Sequence, residues 1–415
     1  VTGARVYHNN GYFDINGQTA TFVDRYQVAS GGGIRMATGT LKVGRNGFDG
    51  GNRAPLHLFS GSVEDITGGT IEIYGTAHAT YGTFGMDNGA NFTPTGGAVK
   101  FLGTDATNTL YTTEVGAADF NLYNLEIGDG SNAKTFNINT IATIPVDING
   151  SLTINANGTF DTNTEPVEVA GSWTNNGTFT ADSGAVTLDG AATQTISGTL
   201  TGASSFYDLT ITNSSGSYTG CDTAFTPGVD FAGSATSTNN YTVTTANAKV
   251  EYNSGSTYTF TNINWVGTSG NEVIFRNSNL TSGTWLLNVS GTQTAVSYVS
   301  VARSDASSGN QIEASDGTNT DCGNNTNWFF YTFTVAGNVY NENTTTALTE
   351  CDGVTENVAL RVNSVTYTTS CNDSTGAYTF TNVADPSTDD PMITWIDGET
   401  PDGTTVNKYS GSGDV

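Results

Sequence analysis

The sequence predicts an all-β protein: a parallel β-solenoid, or β-helix, followed by an antiparallel β-sandwich. Three observations carry that prediction. Apolar and polar residues alternate with a period of two in short runs such as Ser151–Asn155, Gly184–Leu188 and Tyr207–Ile211. Of 415 residues, 51 are Gly and only 13 are Lys or Arg, so the long helix-forming runs that a helical chain needs are missing. Related motifs also return along the chain, which is how stacked architectures appear in sequence.

Residues 1–330 make up the expected solenoid. Gly97–Gly103 with Phe120–Ile127 resembles Gly184–Gly190 with Phe206–Ile211, displaced by about 85 residues, and Val296–Val301 is a fainter third copy. Within that unit, Gly150–Phe160 reads as strand, corner, strand. Asn157–Phe160 and Asn176–Phe179 repeat the same Asn-Gly-Thr-Phe motif, about 19 residues apart, a sensible length for one coil. Coils of about 20–25 residues would number about 13–16 over this stretch. No two-residue hairpin signal alternates regularly, which favours stacked coils over a closed sandwich.

The character changes near residue 330. Asp321–Phe330 reads as the solenoid exit, its aromatics capping the open end. Residues 331–415 then form the expected sandwich, with strands at Tyr331–Tyr340, Val358–Val362 and Gly376–Val383. Little strand pattern follows Trp395–Gly398, and the first residues read as already inside a solenoid. A fragment would explain both ends. So would a strand added by a neighbouring subunit at an exposed edge. Val335, Val339, Tyr378, Phe380, Ile393 and Trp395 are the residues expected at such an assembly contact.

These residues carry a resemblance. Val296–Ser307 through Asp316–Trp328, with the Phe206–Ile211 unit, resembles right-handed β-helix segments of very large bacterial surface proteins. Residues 333–397, on Val335–Tyr340 and Gly376–Phe380, are similar to carboxypeptidase-regulatory-like and Cna B-type sandwich modules. The resemblance implies stalk and spacer units without catalytic residues, at the cell surface or outside the cell.

Acids outnumber bases 39 to 13, for a net charge of −26. Such a surface repels nucleic acid and anionic membrane, both of which are bound through clustered Lys and Arg. No run of about 20 apolar residues is present, so no membrane-spanning helix is expected. There are four cysteines and none has metal-site spacing. Cys351 and Cys371 fall within one small module and are expected to pair; Cys221 and Cys322 could pair as well, but their separation leaves that geometry open.

Little catalytic chemistry is visible. The thirteen bases are scattered apart from the five between Arg25 and Arg53. His8, His57 and His78 sit in unlike contexts and read as surface or corner residues. Neither a Gly-His-Gly with an Asp cluster nor a nucleophile-elbow motif in a strand–turn–helix setting is found. Calcium is the expected ligand, because Asp305, Glu313, Asp316 and Asp321 crowd a Gly/Asn-rich stretch and Asp385, Asp389 and Asp390 form a second group of hard oxygen donors. Asn-x-Ser/Thr sequons abound, as chance provides in so Asn- and Thr-rich a chain.

The expected function is an extracellular structural protein that self-associates into a stalk, sheath, layer or filament. The alternative is a carbohydrate-binding adhesin or polysaccharide-degrading protein using Tyr81, Phe84, Trp265 and Trp285 on a solenoid flank, although a core position is the expectation for these aromatics.

Overall fold

The computed structural model describes residues 2–48, 53–76, 78, 80–87, 89–105, 107–112, 120–140, 145–221, 224–330, 333–340, 357–362, 365–372, 375–383, 391–397 and 404–408. The protein is all-β, dominated by two large parallel sheets of 22 and 10 strands. Among the described residues, no helix is long and apolar enough to cross a membrane. The chain divides into two compact units. The first comprises Val1–Ala295, Ser300–Gln311 and Cys322–Asn327; the second comprises Val296–Val299, Ile312–Asp321 and Trp328–Val415.

In the first unit, period-two alternation sends one residue inward and the next outward on each short strand. The inward residues stack in register from rung to rung. One column runs Ala20, Leu41, Ile71, Val99, Leu125, Leu152, Trp173, Ile196, Phe231, Tyr252, Asn277. Every member is buried. The 10-stranded sheet carries a second column through Phe120, Val146, Val167, Val186, Leu209, Tyr241 and Ile263. Phe136, Phe160 and Phe179 line a third, with ring centroids 5.7 and 5.8 Å apart. Each rung's backbone groups are satisfied by the rungs on either side, while the buried columns supply the hydrophobic stabilisation.

The Asn-Gly-Thr-Phe repeat is one rung step, because Phe160 pairs directly with Phe179. The repeat of about 85 residues is different. Val99 and Leu125 belong to the larger sheet, whereas Val186 and Leu209 belong to the smaller. That likeness is local: a short alternating strand reads the same whichever sheet it joins.

Corners are stitched by asparagine. Asn262 accepts a hydrogen bond from Thr292 N at Oδ1 (2.9 Å) and donates to Asn239 O (3.1 Å). Asn124 does the same between Ser151 N and Gly97 O. Asn157 sits at φ 61, a left-handed conformation that Asn tolerates, and so turns the strand Leu152–Ile154 into Gly158–Asp161. Within the two large sheets, the separation between paired residues on neighbouring rungs runs from 19 at Phe160–Phe179 to 35 at Gln194–Val229.

Within the second unit, Phe333–Asn338 pairs antiparallel with Ala377–Val383. A four-stranded antiparallel sheet runs in the order Val365–Thr369, Asn357–Val362, Pro391–Asp397, Thr404–Lys408. The last of these strands corrects the expectation that strand pattern ends near Gly398. Thr404–Lys408 opens with three β-branched residues and adds a fourth strand to the sheet from within the chain. Val335, Val339 and Phe380, expected at an assembly contact, are instead buried in this unit's own core with Val358, Leu360, Val362 and Met392. They point inward because alternation places them on the covered face. Tyr378 packs against that core, and Ile393 and Trp395 are half-buried on a paired strand. Trp328 is buried and stacks on Phe330, with centroids 5.7 Å apart.

Candidate functional site

The expected calcium ligands do not gather. Asp316 is occupied by its own turn, its Oδ1 accepting from Thr318 N, Thr318 Oγ1 and Asn319 Nδ2 at 2.7–2.9 Å. Asp305 Oδ1 likewise accepts from Ser307 N at 3.0 Å. Glu313 and Asp321 are exposed, and the three carboxylates of Glu313, Asp316 and Asp321 do not converge. Asp385, Asp389 and Asp390 lie outside the described residues.

A different trio does converge among the described residues. Asp147, Glu168 and Asp189 each offer a carboxylate oxygen, all within 4.8 Å of one another. They stand on successive rungs of the 10-stranded sheet: Asp147 pairs with Glu168, and Asp189 follows Leu188, the partner of Val169. Burial raises the Asp189 pKa. Three oxygen donors in this arrangement suit a hard divalent cation. The sequence reading missed them, although a signal was present: an acid beside apolar residues returns at about one coil length in Val146-Asp-Ile, Val167-Glu-Val and Leu188-Asp.

A groove of about 380 Å³ lies nearby, lined by Thr93, Pro94, Thr95, Asn121, Tyr123 and Asn149. It joins the trio through Asn149 Nδ2, which donates to Asn121 Oδ1 (3.2 Å) and Asp147 Oδ2 (3.1 Å). Amides, hydroxyls and one tyrosine ring are groups that hydrogen-bond and stack on polyhydroxylated ligands.

The aromatics named for a flank are mostly core. Phe84, Trp265 and Trp285 are buried, and only Tyr81 reaches the surface. His57, expected at the surface or a corner, is fully buried on a strand although its position points outward. Phe59 and Tyr81 cover it, with centroids 4.6 and 5.4 Å away, and its Nε2 lies 3.0 Å from Asp87 Oδ1. Room for the ring comes from Gly85 on the next rung, where a Cβ would stand 2.7 Å from His57 Nδ1.

A second polar group lies on outward positions of the larger sheet. Asp230, Glu251 and Arg276 pair on successive rungs. Burial, reinforced by Asp230, pushes the Glu251 pKa up to about 6, and burial raises Asp230 as well. Over the next rung folds a hairpin, Ser217–Tyr218 against Phe225–Thr226. Buried Lys249 holds its base, donating to the carbonyls of Ser214 (3.3 Å) and Asn247 (2.8 Å). Cys221 on the hairpin is disulfide-bonded to Cys322, with Cα atoms 5.0 Å apart. Cys371 is also disulfide-bonded; Cys351, expected to be its partner, lies outside the described residues.

Compared with known proteins, the chain matches no family model, no curated protein and no solved structure.

Proposed function

We propose that this chain is a structural element of an extracellular or cell-surface assembly. In this reading the parallel sheets close into a β-helix that serves as a rigid spacer, and the antiparallel strands form a sandwich module like those of Cna B-type stalks. The observation that carries it is the unbroken inward column from Ala20 to Asn277, which commits most of the chain to one continuous stack. Association of copies is favoured at the edge strand Thr404–Lys408, where Val406 is 65% exposed. Electron microscopy and light scattering on the full chain test the reading. Regular filaments, sheets or oligomers are the expected result, and a monomer at high concentration, with and without calcium, would reject self-association.

A second reading, glycan binding, is favoured by the groove beside the carboxylate trio, where calcium would supply a positive centre for sugar hydroxyls. A glycan array combined with a reducing-sugar assay separates a binder from a cleaving enzyme. No signal in either assay removes this reading and leaves the structural one intact.

A further inference from the structure

Arg276 is fully buried, and its donors converge on the disulfide. Nη1 donates to the carbonyls of Phe275 (2.8 Å) and Ser300 (2.7 Å), fixing the plane of the guanidinium. Nη2 donates to Tyr218 Oη (2.7 Å) and Ser300 Oγ (2.9 Å), and lies 3.2 Å from Cys322 Sγ. Ser300 Oγ is 3.3 Å from that sulfur and Tyr218 Oη 3.7 Å. Cys221 Sγ lies farther from these donors, 3.9 Å from Tyr218 Oη. The Tyr218 ring lies against the guanidinium, 4.7 Å from its centre.

The two sulfurs are therefore unequal. A disulfide sulfur is a weak acceptor and gains little from a guanidinium, two hydroxyls and burial. A thiolate in the same place would receive charge-assisted hydrogen bonds and a full opposite charge, which lower a thiol pKa. Access is unequal too. Cys322 is 8% exposed, while Cys221 is carried half-exposed on the hairpin.

We propose that Cys221–Cys322 is a thiol-exchangeable disulfide, opened by an external dithiol, with Cys322 departing as a thiolate held by Arg276. A thiolate of the dithiol attacks Cys221 Sγ, and the S–S bond breaks with its electron pair passing to Cys322 Sγ. The dithiol's second thiol gives up its proton to solvent and attacks the mixed disulfide. It closes the reductant's own disulfide and expels Cys221, which takes a proton from water. The reductant loses two electrons and the protein disulfide gains them. Opening frees Cys221 from the stack, while the strand pair and Lys249 still hold the hairpin.

The experiment treats the full chain with dithiothreitol, alkylates it across a pH series, and follows Cys221 and Cys322 by peptide mass spectrometry. Cys322 alkylation is expected at a midpoint at least one pH unit below the ordinary thiol value of about 8.5. Arg276→Gln is expected to return that midpoint to the ordinary value and slow reduction about ten-fold, because a poorer leaving group departs more slowly. An ordinary or raised midpoint in the wild-type chain overturns the proposal, as does an unchanged midpoint in Arg276→Gln. The wild-type midpoint decides the matter by itself if the variant does not fold.

Discussion

Asp230 and Glu251 occupy the same outward position on successive rungs of the larger sheet, placing one carboxyl beside another. Strands in such a sheet are about 4.8 Å apart, too close for two half-buried carboxylates to ionise independently. Burial first, and the Asp230 carboxyl second, push the Glu251 pKa up to about 6.

That gives a pH signature. The folded pKa lies above the ordinary value of 4.5, so the folded chain binds this proton more tightly than the unfolded chain. Stability therefore falls as pH rises from about 4.5 through about 6. Glu251→Gln is expected to be more stable than wild type above pH 6, by on the order of 1 kcal/mol once solvent screening is allowed for. Below pH 4.5 the two chains should match. Urea unfolding at pH 4 and pH 8 checks this, and a pH-independent difference would refute the assignment.

Trp173 tests the buried column. It sits between Leu152 and Ile196 and meets Phe179 and Phe206 at 4.9 and 5.5 Å. Trp173→Ala is expected to lose about 3–5 kcal/mol, whereas outward-facing Thr153→Ala should stay within about 0.5 kcal/mol. Comparable losses at both sites would mean that alternation does not sort core from surface.

Gly85 makes room for a buried histidine. Gly85→Ala drives a Cβ against His57 Nδ1 and is expected to destabilise by about 1–3 kcal/mol. The second substitution His57→Ala, made in that background, should recover part of the loss. Simple additivity in this double-mutant cycle would show that the two residues are not coupled.

The carboxylate trio predicts opposite responses to calcium and to charge removal. Without calcium, Asp147→Asn combined with Glu168→Gln relieves like-charge repulsion and is expected to raise the melting temperature. With calcium at 10–100 times its Kd, wild type should gain about 1–3 kcal/mol and the double variant almost nothing. A wild-type melting curve indifferent to millimolar calcium would exclude this site.

Much of the fold was legible because its signals are local. Alternation at Ser151–Asn155, the Asn-Gly corner at Asn157 and the repeat at Phe160 and Phe179 each depend on a handful of neighbouring residues. The site residues were not legible in the same way. Coil lengths vary from 19 to 35 residues, so the sequence does not state which outward side chain stands beside which. The crowded acids at Asp305–Asp321 looked like ligands, yet two of them satisfy their own turns.

From its order of residues alone, the chain determined that it would be β-rich, with short alternating strands, Asn- and Gly-built corners and a change of character near residue 330. Tertiary structure alone decided that Asp147 meets Glu168 and Asp189, that His57 is covered, and that Arg276 lies against Cys322. Alternation is a property of a strand by itself, whereas adjacency across rungs depends on the length of every intervening corner and on what each corner buries.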